Sequence, residues 1–379
     1  MTTTTTNRLH ALRRAGVSIW LDTLSRQLLD SGAFATLIAD WGVTGATSNP
    51  TIFAKALERS ADYDHQLRTA VAAGTRSPQE LFFDLALTDV ARAADRLRPI
   101  YEASDGRDGF VSFECTPDLA DDTAATVAQA SALWDRLARP NVMIKVPATE
   151  AGIGAIERLT ASGVNVNVTL LFSLERYEQA IEAYLAGLEH RVAAGLPVDA
   201  IASVASFFVS RVDARADPLL PAGSDLRGQV AIANAQHAYA RYRERFAGAR
   251  WSALEAAGAR PQRPLWASTG VKNPAYSDVL YVEQLIARDV VNTMPEATLR
   301  AFADHGDPTH SLAPPAVAED TLRRARDASI DLPAITAELE REGVRAFCDS
   351  YHQLLEGIAT AVQRSLRDRQ EARHEAARV

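Results

Sequence analysis

Short apolar runs alternate with longer amphipathic segments along this chain. Residues 9–14 have the pattern of a short helix, and 17–22 form an apolar run ending in Asp22. A helical segment at 25–39 leads into a second apolar run, 43–47, which passes into Ser48, Asn49 and Pro50. Asparagine suits a helix cap and proline its first turn. Helices are therefore predicted to fill 50–101, one of them opened by Ser77, Pro78 and Glu80. The rhythm continues with strands at 109–114, 141–149, 164–170, 200–209, 264–269 and 289–294. Helical segments at 121–139, 148–160, 174–192, 224–257 and 277–287 separate them. Another helix opens at Pro295 and runs to 303, 307–330 reads as a loop-rich insertion, and 333–372 as a helical C-terminus. The polar residues 1–7 are expected to be a frayed tail.

Strands that alternate with helices make βαβ units and a parallel sheet. A count of eight predicts a closed (β/α)8 TIM barrel in one domain spanning 1–379, rather than an open doubly wound sheet. No GxGxxG follows the first strand, which weakens the dinucleotide-binding alternative.

Parallel strands are covered on both faces and should be almost wholly apolar. Here most of them carry a polar residue at the C-terminal end: Asp22, Asn49 just beyond its strand, Glu114, Lys145, Asn167 and Thr169, Ser206, and Ser268. In a barrel those ends meet at one mouth, where barrel enzymes place their chemistry. Lysine is rare in the chain: Lys55, Lys145 and Lys272 are the only three. Lys145 lies inside a β-branched run, where it either snorkels to water or serves as a buried amine able to attack a ketone. Asp22 and Glu114 are the acids at strand ends that could move protons for such a reaction. Asn49, Asn167, Thr169 and Ser206 could bind hydroxyl groups or a water. A phosphate site is suggested by Arg211 after the sixth strand and by Ser268 to Lys272 after the seventh, because barrels often bind phosphate there. The alternative for Arg211 is an ion pair with Asp213 or Asp217.

Composition narrows the function classes. The chain has 379 residues, 47% of them hydrophobic, and a formal net charge of −8, which argues against nucleic acid as a partner. Its two cysteines lie far apart, so no disulfide framework is expected and a reducing, cytoplasmic setting is the default. No apolar run reaches the roughly 18 residues of a membrane span, and the N-terminus lacks the apolar core of a signal peptide. The eight histidines show no metal-binding spacing and no GxSxG elbow occurs, so neither metal nor cofactor is expected. Monomer and homodimer both remain open.

These segments resemble the transaldolase family. They are Trp20-Leu-Asp22, Gly45-Ala-Thr-Ser-Asn-Pro-Thr51, Val111-Ser-Phe-Glu114, Met143-Ile-Lys-Val-Pro-Ala-Thr149, Asn167-Val-Thr-Leu-Leu-Phe172 and Ser206-Phe-Phe-Val-Ser-Arg211. They fall in the family's order between residues 18 and 295, and the Ser268-Thr-Gly-Val-Lys-Asn-Pro274 segment is similar to that of its longer bacterial subgroup. The resemblance implies a metal-free barrel that transfers a dihydroxyacetone unit from sedoheptulose 7-phosphate to glyceraldehyde 3-phosphate. It implies Lys145 as the Schiff-base lysine, Glu114 as an acid/base acting through a water that Thr169 helps to hold, and Asp22 as the group handling the C4 hydroxyl proton. It also implies Asn49, Asn167, Ser206, Phe208, Arg211, Ser268 and Lys272 as substrate-binding residues. Two departures stand out. Many members carry an arginine shortly after the strand-seven serine, where this chain has Lys272 at a different spacing. Many have Glu-Val-Asp-Pro where this chain has Glu114-Cys-Thr-Pro117. Two rival readings are a class I aldolase resembling fructose-6-phosphate aldolase and a sugar-phosphate-binding barrel without catalysis.

Overall fold

The computed structural model describes residues 5–376 apart from 49, 50, 52, 55, 57–60 and 75. Eight parallel strands close into a barrel in sequence order. They are β1 (Val17–Leu21), β2 (Gly45–Thr47), β3 (Phe110–Glu114), β4 (Val142–Pro147), β5 (Val166–Leu171), β6 (Ser203–Phe208), β7 (Arg263–Ala267) and β8 (Val290–Met294). Pairing of β1 with β8, from Val17 opposite Val290 to Leu21 opposite Met294, completes the closure. The expected strands are all present, most of them shortened at their ends. β2 is reduced to three residues, and its Gly45 is dictated by packing: a Cβ there would lie 2.5 Å from the Trp20 ring. That indole is fully buried and donates to Asp108 Oδ1 at 2.8 Å.

Most outer helices form where amphipathic periodicity predicts them, but the segment expected as one helix at 25–39 is two, Arg26–Asp30 and Ala33–Ala39, broken at Gly32, whose φ of 79° is left-handed. Pro78–Ala103 opens with Ser77 and Glu80 in a reciprocal capping box, as expected from those residues. It buries Phe82 and Phe83 against Phe113 of β3. The expected helix at 224–257 is two helices, Val230–Arg245 and Ala249–Ala256, with Gly248 capping the second. A separate short helix, Ser210–Ala216, directly follows β6. The region 277–287 yields only Leu280–Glu283 as helix.

Two expectations toward the termini need revision. The N-terminal helix begins at Thr5, so residues 5–7 are helical rather than part of a tail. Within the stretch read as a loop-rich insertion, Pro315–Asp327 is a helix packed on Val230–Arg245. The prolines and histidine before it signal loop, but Ala318, Leu322 and Ala325 recur at helical spacing, and both alanines are buried. The C-terminal helix, Leu332–Ala376, is 45 residues long and thus about 68 Å from end to end.

Candidate functional site at the barrel mouth

Alternation along β3, β4 and β5 sets the site. On β4, Val142, Ile144 and Val146 pack outward, so Lys145 points inward. On β3, Phe113 packs outward against helix aromatics and Glu114 points inward. The register then aligns Glu114 with Lys145 and Lys145 with Asn167 in one row across three strands, with Thr169 one step higher opposite Pro147. Beyond β4, Thr149 ends the extended chain and caps the next helix, accepting from Gly152 N at 3.0 Å.

Lys145 is 6% exposed, so it does not snorkel to water. Its Nζ donates to the Ser48 carbonyl at 3.3 Å and approaches Glu114 Oε2 at 3.5 Å, both long contacts. The Phe347 ring from the C-terminal helix lies 6.0 Å from Nζ. Burial raises the Glu114 carboxyl above its usual range, and the neighbouring lysine pulls it partly back. The Asp22 carboxyl, just past β1, is also raised by burial; the Thr23 hydroxyl, Lys272 and Lys145 oppose that shift. Thr23 Oγ1 donates to Asp22 Oδ1 at 3.0 Å. Two acids in distinct surroundings thus flank one amine.

The residues expected to bind hydroxyl groups divide into two groups. Asn167 accepts from Ser206 Oγ at 2.7 Å and donates to Ser112 Oγ at 2.9 Å, so its amide is engaged within the barrel. Thr169 is fully buried, and its Oγ1 has no hydrogen-bond partner among the described residues. Thr169 and Ser206 line the same cleft as Lys145 and Asp22, a space of about 590 Å³. Asn49 lies outside the described residues.

At the opposite side of the cleft, Ser268 adopts a left-handed backbone with φ of 57°. Its hydroxyl lies 3.0 Å from that of Ser210, and its carbonyl accepts from Ser210 N. Arg211 is largely withdrawn from solvent and its guanidinium sits 5.3 Å from the Phe208 ring centroid; burial lowers its pKa. The alternative ion pairs of Arg211 do not form. Asp213 instead accepts from Ala231 N and Tyr281 Oη, and Asp217 from Gly228 N and Tyr276 Oη. Phe208, Arg211, Ser268 and Lys272 all line the cleft. A non-glycine residue at positive φ stores strain that tends to mark functional positions. Leu170, directly after Thr169, is a second such residue, with φ of 60° at a break in the β5–β6 register.

The altered segment Glu114-Cys-Thr-Pro117 has its own support. Thr116 N donates to Gln129 Oε1 and Gln129 Nε2 donates to Thr116 Oγ1, each at 2.7 Å. Cys115 is buried on the outward side with Phe82 and Phe113, where burial raises its thiol pKa.

Sequence reasoning does not reach three elements of the cleft. Thr47 and Thr293 line it with hydroxyls 3.3 Å apart, and Thr293 meets the same strand-end criterion as the residues singled out. The Ser48 carbonyl is a backbone group without a sequence signal. Phe347 reaches the cleft from a helix some two hundred residues after Lys145.

The reactive group that this mouth offers to a carbonyl compound is a buried primary amine with acids beside it, the arrangement of an aldolase-type (β/α)8 barrel. Sequence comparison identifies which one: the chain belongs to the transaldolase/fructose-6-phosphate aldolase family, whose profile matches residues 19–358. It is 53% identical to a transaldolase of Saccharopolyspora erythraea over 363 residues, covering 94% of this chain and 98% of that protein. It is 50% identical to a transaldolase of Thermobifida fusca, covering 93% and 97% respectively. A transaldolase of Mycolicibacterium smegmatis is 49% identical, with 92% and 95% covered.

Proposed function

We propose that this chain is a transaldolase. It moves a dihydroxyacetone unit from sedoheptulose 7-phosphate to glyceraldehyde 3-phosphate, giving erythrose 4-phosphate and fructose 6-phosphate. The observation that carries the reading is buried Lys145, paired with Glu114 on the adjacent strand and opening onto a cleft edged by Asp22, Thr169 and Arg211. Lys145 adds to the donor ketone and loses water to form an iminium ion. Asp22 takes the C4 hydroxyl proton as the adjacent carbon–carbon bond breaks, and the aldose phosphate leaves an enamine on the lysine. The acceptor aldehyde adds to that enamine, and water frees the new ketose. Glu114 shuttles protons during Schiff-base formation and hydrolysis through a water held by Thr169, whose hydroxyl has no partner among the described residues. Asn49 and Ser206 serve the sugar hydroxyls, with Asn167 positioning Ser206 through their 2.7 Å bond; Phe208, Arg211, Ser268 and Lys272 form the wall that receives phosphate. The same reading implies a cytoplasmic setting, consistent with the free thiols Cys115 and Cys348.

The second reading is aldol cleavage without transfer, because the family name includes fructose-6-phosphate aldolase. Near-full-length identity of about half to proteins named transaldolase favours transfer. Borohydride reduction in the presence of fructose 6-phosphate, followed by peptide mapping, should place an adduct on Lys145. No adduct in a folded sample would falsify the mechanism, and an adduct on Lys272 would move it to a different lysine. A coupled assay should show transfer exceeding release of free dihydroxyacetone.

A further inference from the structure

The C-terminal helix Leu332–Ala376 crosses the barrel mouth as a strap. Its first contacts are on the β5–β6 side: Glu340 accepts from Arg176 Nε and Nη2, each at 3.3 Å, and Glu342 pairs with Arg215. Gly343 then passes so close to β5 that a Cβ there would lie 2.9 Å from Leu170 Cδ2. One turn later Phe347 comes over the lysine. The helix leaves on the β2–β3 side, where Thr51 donates to Ser350 at 2.8 Å, Tyr351 packs on Phe82 and His352 pairs with Asp118 at 2.9 Å. Individual surface pairs contribute little. Burial of Phe347, Tyr351, Leu354 and Ile358 along one stripe fixes the helix.

We infer that Phe347 is a specificity-determining residue: its ring keeps solvent off the covalent intermediate on Lys145, so that the three-carbon unit waits for an aldehyde instead of being released. The inference rests on the Schiff-base reading above. The ring centroid lies 6.0 Å from Nζ, close enough for a three-carbon unit bonded to that nitrogen to reach it. The polar groups around the amine, the Ser48 carbonyl and Glu114, stand on other elements. The helix therefore supplies an apolar wall where the other neighbours are polar. Two fates compete for the enamine. An acceptor aldehyde can form the new carbon–carbon bond. Alternatively, the carbanionic carbon takes a proton from water and the resulting iminium adds water. The C–N bond then breaks, releasing dihydroxyacetone and returning the free amine. Excluding unbound water slows the second fate, while the water held at Glu114 and Thr169 remains available for productive hydrolysis.

The experiment measures partition in the full-length chain. With fructose 6-phosphate as donor, formation of free dihydroxyacetone and transfer to erythrose 4-phosphate are followed together, and borohydride trapping is run alongside. Phe347→Ala is expected to retain trapping at Lys145 and to raise the release-to-transfer ratio by about tenfold or more, the low end of what one apolar contact contributes to discrimination. Phe347→Leu, which keeps an apolar wall, should partition close to the parent. If Phe347→Ala does not fold, Phe347→Gln, similar in length but polar, should show the same rise. A trapped variant whose ratio is unchanged overturns the inference and leaves the Schiff-base reading intact. A parent chain that is not trapped removes both.

Discussion

Lys145 holds Glu114 in a state that the carboxyl would not keep alone. Burial pushes the carboxyl up, and the lysine 3.5 Å away draws it back toward its ionised form. Lys145→Met retains most of the stem volume and removes the cation, leaving a carboxyl raised further above its unfolded value. The stability associated with such a group is present below the unfolded value and is lost as pH rises through the folded one. Lys145→Met should therefore lose stability as pH rises above the ordinary carboxyl value of about 4.5, reaching a deficit of about 3–5 kcal/mol where the carboxylate is buried and unpaired. Thermal unfolding of the variant across that range checks this. Adding Glu114→Gln should flatten the profile, and a variant that is flat without it would mean the lysine does not hold the carboxylate. Much of this pair was legible in the sequence, because a charged residue inside a β-branched run has few structural explanations. The Asn167–Ser206 bond was not legible: strand-end position places both residues at the mouth without saying that they satisfy each other.

The loop after β7 depends on a pair of acid–tyrosine contacts. Tyr281 donates to Asp213 Oδ2 at 2.9 Å and Tyr276 to Asp217 Oδ2 at 2.6 Å, fastening the segment that follows Ser268 and Lys272 to the helix carrying Arg211. The same two acids accept from Ala231 N and Gly228 N at the start of Val230–Arg245. Burial pushes Asp213 up to about 7. Its folded pKa thus lies above its unfolded one, so on this account the protein loses stability as pH rises from about 4 to 7. Asp213→Asn should remove that part of the pH dependence in calorimetric unfolding; an unchanged slope would place its origin elsewhere. In sequence these acids look like partners for Arg211, two and six residues away. Only the tertiary arrangement of the tyrosines, some sixty residues later, assigns them to the loop. The same limit applies to Phe347: its apolar stripe predicts a buried helix face, but nothing local indicates that the face lies over Lys145.

The molecule as a whole carries a net charge of −8 and is proposed to admit anionic sugars. Barrel closure reconciles the two, because eight strand ends at one mouth gather the few cations that matter. The alternation of strands and helices foretold that convergence; it could not foretell how deeply each cation would sit. Lys272 stands exposed at the rim, whereas Arg211 is largely withdrawn from solvent against Phe208. Long-range repulsion by the whole chain acts across solvent and fades beyond a Debye length of about 8 Å at physiological ionic strength. Attraction by an exposed rim lysine is screened in the same way, while a contact made by a desolvated guanidinium is not. Replacing the two cations should therefore give losses of different character. Lys272→Gln should lower kcat/KM for a phosphorylated donor at low salt, with the deficit closing as salt is raised. Arg211→Gln should cost about ten- to hundredfold, the scale of one charged hydrogen bond, and keep that deficit in high salt. A salt series on both variants, each measured against the parent at the same ionic strength to cancel competition by the added anion, separates the cases. If the Arg211→Gln deficit closed with salt in parallel with that of Lys272→Gln, Arg211 would be acting as a rim charge, and the phosphate wall would have to be drawn without it.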